Sequence, residues 1–136
     1  MHGANGDRMT HPILALQATL VAALRATDLL VFDTPPAGQA PPYVTIARHD
    51  VLPRDGDVAT GYEHRLLFHA WAADASRKAV VALAEALVDA AMAANLDSDT
   101  LLVTLRRHER TDTSIDPATG RARAAVGLTF YTEPTS

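Results

Sequence analysis

The chain has 136 residues, 48% of them hydrophobic and only 5% aromatic, with a formal charge of −4. That is the size of one domain with an aliphatic core, and its acidity speaks against phosphate neutralisation as a way of binding. The complete lack of cysteine excludes disulfides, zinc-thiolate sites and thiol nucleophiles.

Residues 1–10 are polar and without period, and are expected to form a disordered tail ahead of a single domain over residues 11–133. Thr10 or His11 then opens a helix with Pro12 in its first turn, where a missing N–H costs nothing. Ile13, Leu16, Leu20 and Leu24 form its apolar stripe, widened by Leu14 and Val21, and the helix should fade near Thr27. The apolar run Ile13–Leu24 is too short to span a bilayer and is interrupted by Gln17 and Thr19, so neither a membrane segment nor a signal peptide is expected.

Four prolines between Asp33 and Pro42 make that segment an extended connector. Tyr43–Arg48 alternates as a strand, and Asp50–Gly61 reads as a long exposed loop of the kind that is often functional. In Tyr62–Ala72, Leu66, Phe68 and Ala70 share one face while Leu67, His69 and Trp71 share the other. Bulk on both faces predicts a central strand. The period then changes to that of a helix over about Ala75–Ala94, with Val80, Leu83, Ala84, Leu87, Val88 and Ala91 inward.

Leu101–Arg110 is a third predicted strand with Leu101, Val103 and Leu105 on one face. Arg121–Thr132 is a fourth, with Val126, Leu128 and Phe130 inward. The intervening Thr111–Gly120 ends in the turn sequence Asp116-Pro117-Ala118-Thr119-Gly120, so the two strands should form a hairpin with a projecting tip. The pattern predicts one α/β or α+β domain in the order helix, strand, strand, helix, strand, strand.

Catalytic signals are weak. Gly-x-Ser-x-Gly and Ser-x-x-Lys are both absent, and the seven glycines never cluster into a phosphate cradle. None of the six histidines has i, i+4 helical spacing, and His64 and His69 are five apart, on opposite faces of an ideal strand. Surface or interface positions are therefore the expectation for the histidines. Asp55-Gly56-Asp57 only approaches a calcium loop. Asp112 and Asp116 sit in a projecting loop, a poor setting for acid–base chemistry. No cofactor and no metal is expected.

Mixed charges gather instead in the two predicted loops. Arg48, Asp50, Arg54, Asp55 and Asp57 occupy one, and Arg110, Asp112, Asp116 and Arg121 mark the other, beside Arg106, Arg107 and Arg123. Alternating signs on extended arms suit subunit or partner contacts, where complementary charge fixes register and partner choice.

Several segments, in order over roughly residues 11–132, resemble a family of tail terminator (tail-completion, tail-to-head joining) proteins of long-tailed phages and gene transfer agents. They are His11-Pro12-Ile13-Leu14-Ala15-Leu16-Gln17-Ala18, Pro41-Pro42-Tyr43-Val44-Thr45-Ile46 and Glu63-His64-Arg65-Leu66-Leu67-Phe68-His69-Ala70-Trp71. Leu101-Leu102-Val103-Thr104-Leu105 and the Asp116–Gly120 turn leading into Ala125-Val126-Gly127-Leu128-Thr129-Phe130 complete the set. One departure is Ala72, where relatives often carry Ser or Thr after the strand tryptophan, leaving Asp74 or Ser76 to cap the helix.

The resemblance implies an α+β fold, a mostly antiparallel sheet of four or five strands with two helices on one face, and a non-enzymatic hexameric ring at the neck of a phage-like particle, assembled in the bacterial cytoplasm. It implies contacts to the tail tube protein and to the stopper or head-completion protein, with DNA passing through the ring unbound. The alternative within the same neck is the stopper itself. Two other classes stand beside it: a small enzyme using His64 or His69, and a monomeric module with a concave apolar site.

Overall fold

A computed structural model describes residues 11–55 and 60–135; the expected tail over residues 1–10 lies outside them. The order is α1 (Pro12–Arg25), β1 (Val31–Phe32), β2 (Tyr43–Asp55), β3 (Thr60–Trp71), α2 (Arg77–Ala93), β4 (Leu101–Ile115) and β5 (Ala122–Pro134). The five strands form one sheet in the order β1-β2-β3-β5-β4. Only β1–β2 is parallel; the other three pairings are antiparallel. The α+β expectation holds, and β3 is the central strand that its two bulky faces predicted.

Both helices pack on one face. Leu16, Leu20 and Leu24 of α1 and Val80, Ala84, Leu87 and Ala91 of α2 are buried with Leu66, Phe68, Val126, Leu128 and Phe130 of the sheet in one core. Leu14, expected to widen the α1 stripe, is instead 62% exposed. Local chemistry sets the helix ends. His11 Nδ1 accepts from the Ile13 N–H at 3.1 Å with Pro12 at the first turn, and Ser76 Oγ accepts from the Ala79 N–H at 3.0 Å. Ser76 is therefore the cap of α2, while Asp74 Oδ1 accepts from the Ser76 N–H and shapes the turn before it.

Two boundaries differ from expectation. The predicted loop Asp50–Gly61 is largely a hairpin, because β2 runs on to Asp55 and β3 begins at Thr60, with Asp55 opposite Thr60. Likewise β4 continues past Arg110, where the strand was expected to end, to Ile115, so Asp112 is a strand residue rather than a loop residue. In both places polar residues occupy the solvent side of a strand, and polarity alone resembles a loop. The two-residue β1 is too short to show any period.

Three bulges decide which residues face which way. The register shifts between Ile46 and Arg48, between Val103 and Leu105, and between His108 and Arg110. Each extra residue transfers everything beyond it to the other face. Strict alternation would place Arg48 and Asp50 on the core side with Val44 and Ile46. The bulge at Ala47 turns them out and turns His49 in. The bulge at Thr104 does the same to Leu105, which is 54% exposed and not a companion of Leu101 and Val103 in the core.

Candidate interaction surface

The helices leave the other face of the sheet open, and paired registers define rows of side chains across it. One row reads Arg48, Leu67, Gly127, Arg110 from β2 to β4. The next reads Asp50, Arg65, Thr129, Arg107, and the next Leu52, Glu63, Tyr131, Leu105. With neighbouring strands about 4.8 Å apart, each row is about 14 Å long.

Every ion pair found among the described residues lies on this face and links residues two apart on one strand: Arg48–Asp50 at 2.8 Å, Arg65–Glu63 at 2.6 Å, Arg107–Glu109 at 3.6 Å and Arg110–Asp112 at 2.7 Å. Residues i and i+2 of a strand share a side, so these spacings are a direct result of the pleat. In all four the arginine contributes Nε. Tyr131 sits between two further contacts, with Arg54 over its ring at 4.5 Å and Arg107 Nη2 donating to its hydroxyl at 2.9 Å. Glu63, Arg65, Arg107, Glu109 and Tyr131 wall a shallow hollow of about 520 Å³ floored by Gly127 and Thr129. Farther down, Arg123 lies 5.7 Å over the Trp71 ring, with its buried Nε unpartnered among the described residues.

The residues singled out in the sequence divide into two groups. Arg48, Asp50, Arg54, Arg110 and Asp112 come together on the open face. Asp116 and Arg121 do not: they close the β4–β5 turn at the opposite end of the sheet from the Asp55–Thr60 tip. There the Asp116 N–H donates to the Arg121 carbonyl at 2.8 Å, and the Thr119 hydroxyl donates to the Asp116 carboxylate at 2.8 Å. Their visible work is turn formation. Asp55 is the last residue of β2, and Asp57 lies outside the described residues. Arg106 faces the core side, where its Nη1 donates to the carbonyls of Ala91 and Ala94 at 2.9 and 2.6 Å and so caps the end of α2. Glu63, Arg65 and Tyr131 were not foreseen as site residues; Arg65 and Glu63 at i, i+2 in a predicted strand was the available signal.

The histidine expectation also needs correction. His64 is fully buried on the core side of β3. Gln17 Nε2 donates to His49 Nδ1 at 3.1 Å, His49 Nε2 reaches His64 Nδ1 at 2.8 Å, and His64 Nε2 reaches the Thr132 hydroxyl at 2.9 Å. With the Gln17 amide donating, both rings carry their proton on Nε2 and the chain of bonds runs in one direction. Burial pulls the His49 pKa down from 6.5 to about 4, against Asp50, which raises it. Burial first and His49 second do the same to His64, again to about 4. Both rings are neutral at pH 7. His69, on the other face as spacing predicted, packs edge-on against Trp71, and its pKa is lowered by burial and then by Arg123. Among the described residues no three His, Asp or Glu side chains gather as a metal-binding set.

The family model described as tail completion protein gp17 matches residues 13–133. Among solved structures, a chain from a structure titled "Virion of native gene transfer agent (GTA) particle" superposes with a TM-score of 0.79. It is 22% identical, over 91% of this chain and 98% of that one, a likeness that establishes the shared fold. Comparison with curated proteins finds no match.

Proposed function

Since this chain belongs to the tail completion protein gp17 family, we propose that it is a tail terminator: a structural protein forming a hexameric ring at the head–tail junction of a phage-like particle. The ring caps the tail tube and presents its end to the stopper or head-completion protein. The observation that carries this reading is the family match over residues 13–133, which includes every described strand, the last of them to within one residue of its end. Resemblance in fold to a chain of a gene transfer agent virion supports a place in such a particle.

The surface chemistry agrees with work by shape. A closed ring needs two different complementary patches on one subunit, and the open sheet face supplies one, rich in charge and fixed in geometry. The histidines best placed for catalysis offer little to a substrate: His64 has both ring nitrogens engaged and is fully buried. DNA is expected to pass the ring without being held. The chain is acidic, and four arginines of the open face are already matched by carboxylates.

Removal of the gene from a producing strain tests the assignment. Loss of a terminator leaves filled heads beside overlong or aberrant tails. Normal particles in its absence would contradict the proposal, and heads that fail to retain DNA would transfer the chain to the stopper position.

A further inference from the structure

The open face carries six arginines, Arg48, Arg54, Arg65, Arg107, Arg110 and Arg123, against the five carboxylates of Asp50, Glu63, Glu109, Asp112 and Glu133. The chain as a whole is acidic, at −4, so the rest of its surface is more acidic still. The open face, with a small excess of arginine, is the less acidic side of the domain.

The way the arginines are held matters as much as their number. In each of the four ion pairs the carboxylate meets the arginine at Nε. For Arg48, Arg65 and Arg110 that leaves the end of the guanidinium, with its terminal N–H donors, pointing away from its own partner. A guanidinium fixed in this way has less freedom to lose on meeting a second carboxylate, and end-on pairing is the strong geometry. Among these arginines stand Leu52 and Leu105, 37% and 54% exposed. A complementary surface must therefore offer carboxylates and apolar area together. Phosphates alone do not match it.

Such a surface exists on the same molecule. On the helical side of β4, a groove of about 300 Å³ runs between α2 and the edge strand. Val81, Ala84 and Val88 give it apolar walls, with Val81 40% exposed. Glu85 and Asp89, one helical turn apart, stand on its rim with no cation paired to either among the described residues. The groove and the open face lie on different sides of the domain. Two unlike patches that fit each other join copies head to tail, which gives a ring where the rotation closes, and not a two-fold dimer.

We propose that the open sheet face of one copy docks on the α2–β4 groove of the next, with arginine ends against Glu85 and Asp89 and the exposed leucines against Val81 and Val88. The inference rests on the ring reading and names the two surfaces that make the ring.

Charge exchange tests it, with assembly read by sedimentation velocity and native mass spectrometry and folding by circular dichroism. R65E/R110E is expected to weaken self-association about tenfold or more, E85R/D89R to do the same, and the two sets combined to restore it. R65Q/R110Q, milder at these exposed positions, is expected to give a smaller loss in the same direction. Association of either reversed variant at wild-type strength, or no recovery in the combination, overturns the docking. So does intact association with lost retention of duplex DNA by R65E/R110E, which would assign the face to nucleic acid. A wild-type chain that stays monomeric at every concentration would instead overturn the ring reading beneath it.

Discussion

His49 Nε2 lies 2.8 Å from His64 Nδ1, the middle link of a polar chain from Gln17 on α1 to Thr132 on β5. It ties the first helix through β2 and β3 to the last strand, within an otherwise largely apolar core. The bond exists because the bulge at Ala47 turns His49 inward beside a histidine already facing the helices.

Stability should therefore fall as the solution is acidified. Both rings have folded pKa values lowered from 6.5 to about 4. Between those values the unfolded chain binds protons that the folded chain refuses, so the contribution is complete above about pH 6.5 and is lost on the way down to about 4. Melting temperatures measured from pH 7.5 to 4.5 should decline through that window. A flat profile, or an imidazole resonance of either ring titrating above 6.5, would contradict the buried neutral pair.

Gly61 should resist substitution. A methyl group there would stand 2.9 Å from the Thr132 carbonyl oxygen, a backbone atom of the neighbouring strand. Gly61→Ala is expected to cost about 1–3 kcal/mol by forcing the β3–β5 pairing apart. Chemical denaturation of the variant measures it, and an unchanged midpoint would refute the close approach.

The two ends of α2 depend on one side chain each. Ser76→Ala removes the acceptor for the Ala79 N–H and should cost about 1 kcal/mol. Arg106→Ala releases the Ala91 and Ala94 carbonyls and should cost about 1–3 kcal/mol, since the bonds are charge-assisted. The two sites are at opposite ends of the helix, so their effects should add in the double variant. Strong coupling between them would count against independent caps.

Phe68→Ala, at the centre of the middle strand, should cost about 3–5 kcal/mol, because the ring is fully buried and little can collapse into its place. A loss below about 1 kcal/mol in urea titration would mean that the core is not packed as described.

Much of this fold was legible in the pattern of the chain. The alternation of Leu66, Phe68 and Ala70 against Leu67, His69 and Trp71 located the central strand, and the stripe from Val80 to Ala91 located α2. The candidate surface was half visible. Arg48, Asp50, Arg110 and Asp112 stand out by charge, but Asp50 and Asp112 read as loop residues just past a strand end, because a strand with a solvated face and a loop are alike in polarity. Their common face could not be read, because it depends on bulges at Ala47, Thr104 and Glu109. A bulge is a long-range pairing event with no local sequence period of its own. The same cause hid the histidine pair: fifteen residues separate His49 from His64, and only the register of β2 on β3 brings them together.

Electron cryomicroscopy of purified particles tests the central claim most directly. Six copies of this chain in one ring between the tail tube and the head-completion complex are the predicted result. A neck whose density is accounted for by other chains, or this chain found elsewhere as isolated single copies, would contradict it.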